Sequence, residues 1–299
     1  MAAFSPDGRY VVGGDLDGKI RQWQVEDGTE VGPGMNAGRR IYAIAISKDG
    51  KWIVTGSPDE AAVWDMETHD KVVGMRAHWD LVTSIDVSPD SARVVSGGSW
   101  AKTVLIWDIK TGKRLVRRLK HSSYVHAVKF SPDGECIATS AGGKIYIHNS
   151  HTGKGVKSWN SEKSTSLFAW SNDGKRLFAA YGGSISCHDV STGAALSKWS
   201  VGPSGSADSD TLRLSGNGRF IVSLMGGYTT FWDAETHKQF GPIIDNVCGL
   251  ADNSYFACSM EKTIGIWSIR DILPNSYFSD VSIRHPNPLE DLTKCYTSL

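Results

Sequence analysis

The chain has 299 residues, 40% hydrophobic and 21% charged, with 32 glycines and 11 tryptophans. Lys plus Arg and Asp plus Glu each total 32, so the formal charge is zero, which excludes nucleic-acid binding driven by a global basic excess but leaves local patches open. The length supports a large core without metal or disulfide staples, and abundant glycine with many aromatics suits short strands and tight turns.

From the N-terminus onward, one turn tetrapeptide keeps returning. It reads Ser5-Pro6-Asp7-Gly8, Ser47-Lys48-Asp49-Gly50, Ser88-Pro89-Asp90-Ser91, Ser131-Pro132-Asp133-Gly134 and Ser171-Asn172-Asp173-Gly174. It then degrades to Ser215-Gly216-Asn217-Gly218 and Ala251-Asp252-Asn253-Ser254. Successive starts are 42, 41, 43, 40, 44 and 36 residues apart. A second mark follows each turn after 16 to 19 residues: Trp23, Trp64, Trp107, His148, His188, Trp232 and Trp267. Between the marks lie two β-branched or aromatic runs, such as Trp52-Ile53-Val54 and Ala62-Val63-Trp64. Another apolar run precedes each tetrapeptide, as from Ile41 to Ile46. A further turn, for example Thr111-Gly112-Lys113, leads to a fourth and more polar run. Four strands in a unit of this size make a propeller blade. The expectation is an all-β, seven-bladed β-propeller with four antiparallel strands per blade, its first and last blades incomplete.

The segments Val63-Trp64-Asp65, Ile106-Trp107-Asp108 and Phe231-Trp232-Asp233 resemble the closing dipeptide of WD40 repeats. Ala77-His78 and Lys120-His121 look like degraded forms of that family's Gly-His element. The likeness runs over roughly residues 1 to 270, and stretches such as Trp232 to Gln239 are similar to fungal WD40 repeat-like arrays. It implies a non-catalytic scaffold that binds other proteins, monomeric in itself and without a cofactor. The family's network joins the Gly-His histidine, a second-strand Ser or Thr, a turn Asp and the Trp. No unit here has the full set, so apolar packing between blades is expected to dominate.

Residue 1 falls inside the innermost strand of blade 1, so either the chain begins mid-array or that blade is frayed. Blade 7 has to find its outer strand within residues 275–283 or do without one. The propeller is assigned to residues 1–283, and 284–299 is read as a surface tail. Residues 202–210 read as a lengthened loop.

Catalytic signatures are missing: the chain has no GxxxxGK[ST], HExxH or GxSxG. Cys136, Cys187, Cys248, Cys258 and Cys295 lack the close spacing of a zinc or dithiol site, which suggests reduced thiols and an intracellular address, cytoplasmic or nuclear. The start is unlike a signal peptide, and no apolar run reaches membrane-spanning length. The turn aspartates are explained by bonds to backbone N–H groups two residues onward. His148 and His188 are expected to fill the tryptophan slot of their blades.

Two surfaces stand out. Loops that enter innermost strands share one propeller face with the turns between second and third strands. That face carries Arg39, Arg40, Trp79, Trp100 and Tyr124, residue types that dominate interface energetics. These are the candidate partner-binding residues. A basic cluster, Lys110, Lys113, Arg114, Arg117, Arg118 and Lys120, marks the outer edge of blade 3, with Lys113, Arg114, Arg117 and Arg118 at its centre. Its first reading is a solvated edge that discourages sheet pairing; contact with an acidic partner or with RNA is the alternative. A second alternative makes the chain the C-terminal interaction module of a larger signalling protein.

Overall fold

The computed structural model describes residues 1–76, 80–161, 165–201, 211–225, 227–245, 255–260, 263–268, 273 and 294–297. Every regular element among them is a β-strand.

Six four-stranded antiparallel blades follow one another, each ordered from its innermost to its outermost strand. Blade 1 comprises Ala2–Phe4, Tyr10–Gly14, Lys19–Gln24 and Met35–Asn36. Blade 2 comprises Ala43–Ile46, Trp52–Ser57, Glu60–Asp65 and Lys71–Met75. Blade 3 comprises Val82–Val87, Arg93–Gly98, Thr103–Asp108 and Leu119–Lys120. Blade 4 comprises Val125–Phe130, Cys136–Ala141, Lys144–Asn149 and Gly155–Asn160. Blade 5 comprises Leu167–Trp170, Arg176–Tyr181, Ser184–Asp189 and Ala195–Ser200. Blade 6 comprises Thr211–Leu214, Phe220–Met225, Tyr228–Asp233 and Gln239–Asp245.

The expected seven blades are thereby corrected to six. Among the described residues the seventh unit contributes a three-stranded sheet, in which Thr263–Ser268 pairs with Tyr255–Met260 on one side and Lys294–Thr297 on the other. The seventh turn also departs most in sequence: it starts 36 residues after the sixth, the shortest spacing, and has Ala251 where the six others have the serine that closes their first hairpin. Blade 1, expected to be incomplete, has all four strands, and Ala2–Phe4 pairs with Val11–Gly13. The partner strand sought in 275–283 is supplied by Lys294–Thr297, inside the segment read as a tail. Residues 275–283, like the loop at 202–210, lie outside the described residues.

The tetrapeptide works as a lock. In blade 2 Ser47 Oγ donates to Asp49 Oδ1 at 2.6 Å and accepts Trp52 N at 2.9 Å, while Gly50 N donates to Ser47 O. Blades 1, 4 and 5 repeat this geometry, and blade 6 does so with Asn217 replacing the aspartate. Each aspartate also accepts the N–H two residues on, as Asp133 does from Glu135 at 3.0 Å. These bonds hold the Asp133 and Asp173 carboxyls below the usual range, and Ser131 and Ser171 make the largest contributions. The turn aspartates are therefore satisfied structurally.

Each boundary between consecutive blades is filled by its own apolar cluster. Val12, Ile20 and Met35 of blade 1 meet Ile53, Ala62 and Trp64 of blade 2. Val54, Val63 and Met75 of blade 2 meet Val94, Leu105 and Trp107 of blade 3. The boundaries from blade 3 to blade 6 follow the same plan. Burying one Leu- or Val-sized side chain is worth roughly 1.5–3 kcal/mol, against about 1 kcal/mol net for a hydrogen bond, so these clusters dominate cohesion.

The tryptophan slot is fixed by register. Trp64 pairs with Ile53, Trp107 with Val94 and Trp232 with Ile221; His148 and His188 occupy the same position opposite Ile137 and Leu177. The abbreviated network survives where the tryptophan is kept: Trp64 Nε1 donates to Thr55 Oγ1 at 2.9 Å and Trp107 Nε1 to Ser96 Oγ at 2.8 Å. In blade 4, His121 sits 3.3 Å from Thr139 Oγ1 and edge-on to His148, with ring centroids 5.6 Å apart. Burial drives the His121 imidazole down to about 4, and the nearby His148 adds to the effect.

Candidate functional site: the loop face over blades 1 to 4

On one face, five successive loops and turns are tied together like links. Arg39, in the loop between blades 1 and 2, reaches Asp59 in the second-to-third-strand turn of blade 2 at 3.3 Å. The Asp59 N–H donates to the carbonyl of Asp80, in the loop entering blade 3, at 3.0 Å. Asp80 Oδ2 in turn accepts the backbone N–H of Trp100, in the corresponding turn of blade 3. Trp100 lies against Tyr124, in the loop entering blade 4, with ring centroids 5.3 Å apart and planes tilted by 47°. Lys102 places its ammonium 5.7 Å from the Tyr124 ring centre.

Trp100 is 65% exposed and Tyr124 40%. Trp100 contacts the neighbouring loop through Tyr124, and that ring is itself at the surface. An indole held in water by a braced turn is the kind of side chain that a partner covers. The Asp80 carboxylate and the backbone bonds from Ser99 to Leu81 and from Lys102 to Ser99 give that turn its shape, with Lys102 in left-handed conformation at φ 52°.

The candidates from the sequence divide accordingly. Arg39, Trp100 and Tyr124 lie on this linked strip. Arg40 is half-buried and lies over the ring of Tyr42 at 5.0 Å, so its guanidinium braces the loop. Trp79 lies outside the described residues, as do Ala77 and His78. The Arg39–Asp59 pair is well exposed on both sides and contributes little to stability.

Several contributors were not singled out from the sequence. Asp80 and Lys102 are ordinary loop residues until the fold brings them under Trp100 and beside Tyr124. Leu16, Tyr181 and Tyr228, at or beside the equivalent turns of blades 1, 5 and 6, are 64%, 40% and 40% exposed and extend the apolar rim. The spacing from each tetrapeptide to these turns was the available signal. The innermost strands of blades 2 and 5 read as apolar, but blades 3 and 4 carry Asp86 and Lys129 there, bonded at 2.6 Å. Asp86 also accepts Phe130 N at 2.9 Å, which joins the two blades along their inner strands. Burial lowers the affinity of Lys129 for its proton; Asp86 opposes that shift and Arg213 reinforces it.

The basic cluster lies where expected, on the rim of blade 3. Lys110, Lys113, Arg114, Arg117 and Lys120 are exposed, and Arg118 is half-buried. Cys136 and Cys187 are free thiols, and burial raises Cys187 to about 11. Among the described residues, no helix is long and apolar enough to cross a membrane.

The repeat geometry is matched by comparison with known proteins. The family model for the WD domain, G-beta repeat, matches residues 1–24, 33–65, 70–108 and 113–149. A cilia- and flagella-associated protein 52 from Chlamydomonas reinhardtii is 30% identical over 102 residues, covering 32% of this chain and 16% of that protein. Protein groucho from Drosophila melanogaster is 32% identical over 96 residues, covering 31% and 13%. The small ribosomal subunit protein RACK1 from Medicago sativa is 29% identical over 86 residues, covering 29% and 26%. The matched stretches thus span between 13% and 26% of each relative. WD40 propellers generally bind other proteins and are typically non-catalytic. The repeated turns, the Trp-Asp pairs in register and the family match agree: this chain belongs to the WD40-repeat family.

Proposed function

We propose that the chain is a non-catalytic scaffold that works inside the cell and holds a protein partner against the loop face over blades 2 to 4. The observation that carries this reading is the exposed Trp100–Tyr124 pair on a turn braced by Asp80. Tryptophan and tyrosine supply large contact area at low entropic cost, and braced loops need no ordering when the partner arrives. Arg39, Arg40 and Lys102 give the rim a positive cast around the aromatic centre, an arrangement of anchor and rim found at interfaces.

The test is affinity purification with mass spectrometry, using the full chain and a Trp100→Ala plus Tyr124→Ala variant. The expected outcome is loss of at least one specific partner from the variant, with circular dichroism and thermal unfolding unchanged, since neither ring is part of the core. Undiminished capture of every partner would refute the site.

A further inference from the structure

From the outer edge of blade 3 we infer a second docking surface, separate from the loop face, that takes an extended acidic segment of a partner protein carrying aliphatic side chains among its carboxylates.

The argument starts with a local charge imbalance inside a neutral chain. Residues 81–160 hold twelve lysines and arginines against five aspartates and glutamates, and no acidic residue occurs between Asp108 and Asp133. The outer edge of blade 3 falls inside that acid-free stretch. Lys110, Lys113, Arg114, Arg117 and Lys120 are exposed there, and none of the five makes an ion pair among the described residues. Asp108, at the start of this stretch, accepts the N–H of Thr111 at 2.8 Å and its hydroxyl at 2.7 Å and feels the charge of Lys110 without forming an ion pair with it. Blade 2 behaves differently. Its outer-edge cations Lys71 and Arg76 are both paired with Glu60, at 2.9 and 3.3 Å. Blade 3 thus gathers five exposed cations without an ion pair, among the described residues, on one outer edge.

The backbone sets the shape of the surface. The outer strand of blade 3 pairs at Leu119 and Lys120, and again at the isolated bridge from Arg114 to Trp107. Leu115 N still donates to Ile106 O at 2.9 Å, but residues 116–118 lie outside the paired stretches, so the basic side chains ride on an irregular edge that does not offer itself for strand addition. The turn of blade 4 continues the surface. A Cβ at Gly153 would stand 3.3 Å from Val116 Cγ2, which places exposed Lys154 beside the edge. A third strand of six residues makes the edge roughly 20 Å tall, enough for about six residues of an extended peptide.

The uncharged side chains decide between kinds of partner. Single-stranded nucleic acid is held by aromatic platforms set among cations. The large apolar side chains exposed on this rim are Leu115 at 48% and, on blade 4, Val156 at 61%, both aliphatic. The third-strand tryptophan of this blade, Trp107, is 3% exposed and packs with blade 2, while Trp100 lies on the loop face rather than on this rim. Aliphatic contacts between unpaired cations fit a peptide that alternates carboxylates with leucine-like side chains, where charge steers approach and apolar contact sets register.

The experiment uses fluorescence anisotropy at low salt with the full chain and three labelled probes: a twelve-residue peptide alternating glutamate and leucine, an all-glutamate peptide of equal length, and a twelve-nucleotide oligouridine. The expected results are tightest binding by the alternating peptide, at least tenfold weakening with Arg114→Glu plus Arg117→Glu, and no change with Trp100→Ala plus Tyr124→Ala. That last arm separates this surface from the loop face, so either proposal can fail alone. Oligouridine binding more tightly than the alternating peptide would overturn the inference, as would alternating-peptide binding that ignores the Arg114/Arg117 exchange. A Leu115→Ser variant, which alters only an exposed side chain, should weaken the alternating peptide and leave the all-glutamate one unchanged; equal effects on both would also overturn it.

Discussion

At the scale of single residues, the turns carry both the repeat and the face. Gly18 shows how tightly they are specified. It has φ +84°, and a Cβ there would strike the backbone of Arg39, in the loop that opens the recognition strip. Gly18→Ala is expected to cost about 2 kcal/mol, from left-handed strain and the collision together, measured by urea unfolding; a change within about 0.5 kcal/mol would show that the loop gives way freely. The His121–His148 pair makes a prediction about pH. Burial holds His121 at about 4, against 6.5 for a free imidazole. The unfolded chain therefore takes up a proton before the folded one does. Stability is full above pH 6.5 and falls as pH drops towards 4, by up to about 1.4 kcal/mol per pH unit for this site. His121→Gln should flatten that part of the profile; an unchanged slope would remove His121 as its source.

At the scale of the blade, what was legible in the sequence was what repeats. The tetrapeptide and the Trp/His mark located the hairpins, and the register places His148 and His188 in the tryptophan slot as expected. What does not repeat was not legible. The pairing of Asp86 with Lys129 depends on two inner strands lying side by side, and nothing in their separation of 43 residues announces it. Asp86→Ala would leave the Lys129 ammonium confined without its counter-charge, and a loss of about 3 kcal/mol is expected. The double variant Asp86→Ala plus Lys129→Met should recover most of it, read from the same unfolding curves. Equal losses in the single and double variants would mean that the ion pair does not couple the blades. The seventh unit teaches the same lesson. Among the described residues its two paired strands take their outer partner from Lys294–Thr297, in the segment that the sequence reads as a tail. The choice of outer partner depends on tertiary context that a local pattern does not carry.

At the scale of the molecule, six blades packed through separate apolar clusters form a stiff frame, and loops on a stiff frame can be varied without disturbing it. This separation made the candidate face partly readable in advance. Repeat phase alone placed Arg39, Trp100 and Tyr124 on one side, but the bracing by Asp80 and the contribution of Lys102 required the fold. The most direct measurement of the central claim, that this face is where a partner sits, is site-specific photo-crosslinking in cell extract. A photoreactive phenylalanine analogue would replace Tyr124 in one sample and Leu196, exposed on the outer strand of blade 5, in the other. The account predicts a discrete crosslinked partner from position 124 and none from 196. A partner captured from 196 and not from 124 would contradict it.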